Sequence, residues 1–103
     1  MICALTVRHL ESGTFEDFRT AFMTLAGADD LPSGWVRFNV IRGMEDPDEV
    51  VCFGFFDGTL DELRSSGQEG YEAQQAAIAP YVASVGTDAL FEVVEDMSRE
   101  PAV

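Results

Sequence analysis

The sequence predicts an α+β domain: a four-stranded antiparallel sheet with two helices on one face, in the order β-α-β-β-α-β. Three observations carry this. The chain has 103 residues, the length of one domain. Four of its segments alternate residue types with a period of two, the signature of strands. Two others place apolar residues at steps of three and four, the signature of helices. Elements in this order form a split βαβ sandwich. The right-handed crossover rule then puts the first and third strands side by side in the centre.

Residues 2–10 form the first strand. Cys3, Leu5 and Val7 share one face with His9, and Ala4, Thr6 and Arg8 share the other. After Ser12, Gly13 and Thr14, the run FEDFRTAFMTLA aligns Phe15, Phe18, Phe22 and Leu25 in one stripe of a helix. Thr14 with Asp17 resembles a capping box, Asp standing for Glu. Residues 27–34 (GADDLPSG) are turn formers and predict a loop. In residues 35–42, Val36, Phe38 and Val40 oppose Trp35, Arg37, Asn39 and Ile41. Residues 43–48 (GMEDPD) predict a turn, because Pro47 has no amide proton for a ladder.

In residues 49–56, Val51, Phe53 and Phe55 oppose Val50, Cys52, Gly54 and Phe56. Thr59 then caps a second helix, with Glu62 at the reciprocal position. This helix weakens near Gly67 and Gly70, resumes as YEAQQAAIAPYVASV, and is bent or ended by Pro80. Residues 88–95 predict the fourth strand, with Phe91 and Val93 opposed to Leu90, Glu92 and Val94. The tail MSREPAV is expected to fray. No repeat or linker interrupts the pattern, so residues 1–103 are expected to make a single domain.

Hydrophobic residues make up 47% of the chain, enough for a packed core. Nineteen acidic residues face six basic ones, all Arg, for a net charge of −13. Such a surface repels nucleic acid and anionic membranes, so neither is expected as a partner. The acidity fits a solvated surface or adaptation to high salt. No apolar run approaches the roughly 20 residues that span a bilayer. MICALTVRHL lacks the basic start and apolar stretch of a signal peptide, which predicts a cytoplasmic protein. One His and two Cys without CxxC make no zinc site. GxGxxG, the P-loop and GxSxG are absent, so no metal or cofactor is called for.

The reading assigns Cys3, Leu5, Val7, Phe38, Phe53, Phe55, Phe91 and Val93 to the helix face of the sheet. The other face then carries Ile2, Ala4, Trp35, Ile41, Val50, Phe56, Leu90 and Val94, with Thr6, Arg8, Arg37, Asn39 and Glu92 among them. On this parity Cys3 and Cys52 lie on opposite faces, which bars a disulfide between them. An apolar sheet face left without helices predicts a homodimer, one sheet packed on the same sheet of a second copy. Arg8 and Glu92, on neighbouring strands, are expected to pair, or else to contact a ligand.

Several of these features together resemble a known family. They are Gly13 with Phe18 before and within the first helix, Pro32 and Gly34 before the second strand, and Glu-Asp-Pro-Asp at 45–48. The aromatic–acid pair Phe56-Asp57 and the Leu-Asp-Glu-Leu of the second helix complete the pattern. It resembles the antibiotic biosynthesis monooxygenase-like superfamily over roughly residues 2–96. The resemblance implies ferredoxin-like subunits paired through their sheets as a dimeric α+β barrel. It implies ligand pockets between sheet and helices. Relatives include cofactor-independent oxygenases of polycyclic phenols, haem-degrading enzymes, polyketide cyclases and proteins with no assigned role. Many members carry a His early in the second helix, where this chain has Arg64-Ser65-Ser66. The Asn, Trp and His trio of the haem-degrading relatives is missing, so haem degradation is not expected.

The expected function is binding of a small aromatic or polyketide-like molecule. Either a cofactor-independent monooxygenase or cyclase activity accompanies it, or the dimer binds without catalysis. His9, the only imidazole, is the candidate base, or else a solvated strand-end histidine. Tyr71 and Gln75 on one helix face, with Phe38, Phe53 and Phe55, are candidate pocket residues, or else ordinary core. A buried Gln75 amide would need partners. Arg37 and Asn39 could orient a carboxylate or phenolate, or tie two subunits together.

Overall fold

The computed structural model of the chain describes residues 1–26, 33–65 and 68–97, and for residues 24–26 and 68–70 the backbone alone. Most of the predicted 27–34 loop, Gly67, the side chain of Leu25 and all but the first residue of the tail lie outside the described residues. The strands are β1 (Ile2–Leu10), β2 (Trp35–Arg42), β3 (Glu49–Phe56) and β4 (Val82–Glu92). The helices are α1 (Phe15–Ala26), α2 (Leu60–Ser65) and α3 (Gln68–Ile78), with a short 3₁₀ turn at Ala79–Tyr81. The sheet is antiparallel throughout in the order β2-β3-β1-β4, with β1 and β3 central as expected.

Local chemistry sets most boundaries. The Thr59–Glu62 capping box forms: the Thr59 amide donates to Glu62 Oε1 at 2.9 Å, and the Glu62 amide donates to Thr59 Oγ1 at 3.1 Å. Hydrogen bonding from the Thr59 amide, and then from its side chain, holds the Glu62 carboxyl below its ordinary pKa. Thr14 precedes α1, but its hydroxyl donates to the Glu11 carbonyl at 2.7 Å and the Tyr81 carbonyl at 3.4 Å, tying β1 to the start of β4. The 43–48 turn closes through a bond from the Asp48 amide to Asp46 Oδ1 and one from the Gly43 amide to the Glu49 carbonyl.

β4 begins at Val82, six positions before the predicted residue 88. Pro80 ends the helical run: it has no amide proton for the ladder, and α3 stops at Ile78. The residues that follow then go straight into the sheet. The register places Ile2 opposite Glu92 and Arg8 opposite Val85, so the expected Arg8–Glu92 pair does not form.

The core lies between the sheet and α1 with α3. Leu10, Phe18, Phe22, Val50, Cys52 and Ile78 form it, with Phe38, Val40 and Val82 packed against it. Phe22 stacks on Phe18 and on Phe38, with both pairs of ring centroids 5.6 Å apart. Gln74 of α3 donates to the Phe22 carbonyl at 3.1 Å and holds the two helices together.

This core reverses the predicted faces of β1 and β3. Arg8 and Leu10, with Val50, Cys52, Gly54 and Phe56, face the helices; Cys3, Leu5, Val7, Val51, Phe53 and Phe55 face away. Phe91, opposite Cys3, faces away too. Phe38 lies on the helix side, and Arg37, Asn39 and Ile41 on the open side, as predicted. Trp35 departs from its predicted face because the β2–β3 register shifts between Trp35 and Arg37. Its ring meets Phe56 edge-on at 5.4 Å. The physical reason for the reversal is that both faces of central strand β3 are apolar. Alternation separates two faces without saying which one the helices cover. Gly54 is the residue that marks the helix side. A Cβ there would come within 2.6 Å of the Phe38 ring and 2.8 Å of the Trp35 ring. The two cysteines remain on opposite faces, and both are free.

Candidate functional site

Arg8 is the one charged side chain in the core of the described residues, with 3% of its surface exposed. It sits in β1 between Val50 of β3 and Val85 of β4, so its strand position directs it under the helices. Its Nη2 donates to Gln75 Oε1 of α3 at 3.3 Å. Its Nη1 is buried and has no hydrogen-bond partner among the described residues. The guanidinium carbon lies 5.9 Å from the ring centroids of both Phe18 and Phe22, at the outer limit of a cation–π contact. Among the described residues, no carboxylate lies within ion-pair distance of it.

Beside this pair is a recess of about 300 Å³, walled by Arg8, Gln75, Ile78 and Ala79 on one side and by residues 82–85 on the other. Its shape has a local cause. The β1–β4 register shifts twice, between Val7 and Arg8 and between His9 and Leu10. Each shift leaves one unopposed residue on β4, Gly86 and then Ala83. Bulges of this kind bend a strand and increase its twist. The bent stretch of β4 forms the recess wall opposite α3.

Cys52 lies in the same core, and burial pushes its thiol up to about 11, against the opposing pull of Arg8. Its folded value is thus above the ordinary one of 9.0, and the protonated thiol is the form that folding favours. Stability from this group is fully present below pH 9 and is lost as pH rises towards 11. The expected loss is about 2–3 kcal/mol across that window. Urea midpoints measured from pH 8 upward check it: the decline should be steeper in the wild type than in Cys52→Ala.

The sheet divides the predicted site residues. Gln75 stands in the recess, bonded to Arg8. Phe38 is on the same side of the sheet but in the core, stacked on Phe22. Tyr71 is on α3 but 50% exposed. Phe53 and Phe55 lie on the open face, edge-on to each other at 5.9 Å, and do not line the recess. Arg37 and Asn39 share that face, the Arg37 Nε donating to Asn39 Oδ1 at 3.0 Å. His9 faces away from the helices as well. Its ring is half exposed, 3.7 Å from Asp46 Oδ2, and lines a second cleft of about 210 Å³ with Val7, Arg8, Glu49, Ser84 and Gly86. The sequence pattern placed Arg8 on the other face of the sheet and gave no sign of residues 82–85 as site residues. A lone Arg among apolar β1 residues was the available signal.

The described residues contain no group of three or more His, Cys, Asp or Glu side chains able to hold a metal ion. No helix among them is long and apolar enough to cross a membrane.

No protein-family profile matches the sequence, and no curated protein matches it. Solved structures do match. A candidate antibiotic biosynthesis monooxygenase from Caulobacter crescentus superposes with a TM-score of 0.77 at 18% identity, covering 91% of this chain and 90% of that one. The chain shares the fold of that structure. A second such candidate, from Nitrosomonas europaea, matches at TM-score 0.75 and 15% identity, over 92% of this chain and 100% of its own. SnoaB, a cofactor-independent oxygenase from Streptomyces nogalater, matches at TM-score 0.74 and 15% identity, over 95% and 97%. The ferredoxin-like βαββαβ subunit expected from the sequence is therefore the fold observed, and the monooxygenase-like proteins share it along almost their whole length.

Proposed function

We propose that this protein is a homodimer that binds one small aromatic or polyketide-like molecule per subunit, in the recess between α3 and β4. The observation that carries the proposal is the Arg8–Gln75 pair at the wall of that recess. Two polar groups converge there among apolar side chains, and few polar groups on a mainly apolar wall are what a ligand site requires. The volume of about 300 Å³ is at the lower end of the range of roughly 300–1,000 Å³ usual for such sites. It suits a fused bicyclic ring. The homodimer is supported by the helix-free sheet face, where Leu5, Val7, Val51, Phe53 and Phe55 are half-buried and Ile41 and Phe91 are each 47% exposed. A cytoplasmic, single-domain protein fits the sequence.

A cofactor-independent oxygenase is the second reading, favoured by the fold shared with SnoaB. In that reading a ring held in the recess would lie across the sheet from His9. His9→Ala would then leave oxygen uptake unchanged unless the substrate binds on the open face instead.

Filling the recess tests the binding proposal. Val85 lines it and is 52% exposed, so a larger side chain there has room to fit without disturbing the core. Val85→Trp is expected to weaken calorimetric binding of naphthalene carboxylate by about tenfold or more, as loss of roughly 1.4 kcal/mol does. Its melting temperature should stay close to that of the wild type. Unchanged affinity would remove the recess as the site.

A further inference from the structure

We infer that the ligand carries a negative charge: Arg8 and Gln75 form the head-group site of a planar organic anion, a carboxylate or an ionised phenol or enol, with its ring against Ile78, Val82 and Val85. This rests on the recess being the ligand site, as proposed above.

A guanidinium does not deprotonate inside a protein, so Arg8 remains a cation although 97% of its surface is withdrawn from water. Buried charges are paired, because an unpaired one is costly. Here nothing among the described residues pairs it. Its hydrogen bond to the neutral Gln75 amide oxygen is long, at 3.3 Å. Nη1 has no acceptor among the described residues. Cys52, its neighbour on β3, stays a neutral thiol at physiological pH. The chain has 19 acidic side chains, yet none reaches this cation among the described residues. The recess that Arg8 and Gln75 both line is open to receive the counter-ion that this cation lacks among the described residues.

The donors also define what it looks like. A guanidinium offers N–H groups in one plane and no acceptor, which matches the two oxygens of a carboxylate or one oxygen of a planar enolate. The Gln75 carboxamide brings N–H donors of its own to the same wall. Ile78, Val82 and Val85 supply apolar surface for a flat ring beside it. A cationic ligand would meet Arg8 as a like charge. A neutral one would leave Arg8 without its counter-ion.

The test compares two probes of one shape, naphthalene carboxylate and naphthalene carboxamide, by calorimetry on the intact wild-type protein and on Arg8→Met. For the wild type, the carboxylate should bind about tenfold to a hundredfold more tightly than the amide, the range set by a hydrogen bond to a charged group. In Arg8→Met the ratio should fall to about one. The melting temperature of unliganded Arg8→Met should equal or exceed that of the wild type, because an apolar side chain of similar length replaces an unpaired buried charge. If this variant does not fold, the wild-type ratio alone decides. Equal affinity of the two probes for the wild type would overturn the anion site while leaving the recess as a ligand site. Binding of neither probe would overturn both.

Discussion

Phe18→Ala is expected to destabilise the protein by about 3–5 kcal/mol, the usual cost of removing a fully buried Phe ring. Phe18 is completely enclosed. It stacks on Phe22, which in turn stacks on Phe38 of β2, so its ring begins an aromatic column that joins α1 to the sheet. It also lies beneath the Arg8 guanidinium. Truncation would open a cavity next to a buried charge, where collapse of the neighbours is hindered. A domain of this size commonly has roughly 5–15 kcal/mol of stability in total. The loss is therefore a large share of it, and the melting temperature should fall by about 12 °C or more. Urea denaturation of the purified variant measures this. A loss below about 1 kcal/mol would mean that the helices do not pack on the Leu10–Val50–Cys52 side of the sheet.

The second large effect is expected on the opposite face. Phe53 lies near its middle, in central strand β3, opposite Leu5 on β1 and Asn39 on β2. Phe53→Glu should convert the proposed dimer to a folded monomer, weakening association by at least about a hundredfold. Two effects combine. The variant loses a central aromatic contact, and it places a carboxylate where two identical faces meet. Each subunit already carries a net charge of −13, so association works against long-range repulsion. Raising the ionic strength should therefore tighten the wild-type dimer. Sedimentation equilibrium at low and high salt checks both statements. A wild-type monomer at high salt would remove the sheet-pairing proposal, and a variant that stays dimeric would move the interface elsewhere.

The two mutations act on opposite faces, and the faces are what periodicity left open. The order of elements, the central position of β1 and β3, the Thr59–Glu62 cap and the separation of the cysteines were all legible, because each depends on local pattern or on handedness. The choice of face was not. In β3 an apolar residue stands at almost every position, as in Val50, Val51, Phe55 and Phe56. Alternation then carries little information, and the three-dimensional match to Phe18, Phe22 and Ile78 decides. Gly54 was the overlooked signal, since a glycine amid aromatic residues makes room for rings above it.

The candidate site was less legible for a related reason. Gln75 could be singled out because it is an amide on the apolar side of a helix. Its partner Arg8 was placed on the wrong face and so was expected to pair with Glu92. The opposite wall was hidden because residues 82–85 follow an alanine-rich helix and were read as its continuation. Pro80 was the stop signal, and the bulges at Ala83 and Gly86 arise from pairing with β1, which no local pattern encodes. The face assignment also explains why His9, Phe53, Phe55, Arg37 and Asn39 do not join Gln75: all five lie across the sheet from it.

Backbone amide chemical shifts of the wild-type protein, followed as naphthalene carboxylate is added, test the location of the ligand most directly. The account predicts that the largest changes cluster at Arg8, Gln75 and Ile78 and along residues 82–85. Changes centred on Leu5, Val7 and Phe53 instead would put the ligand on the far side of the sheet and contradict it.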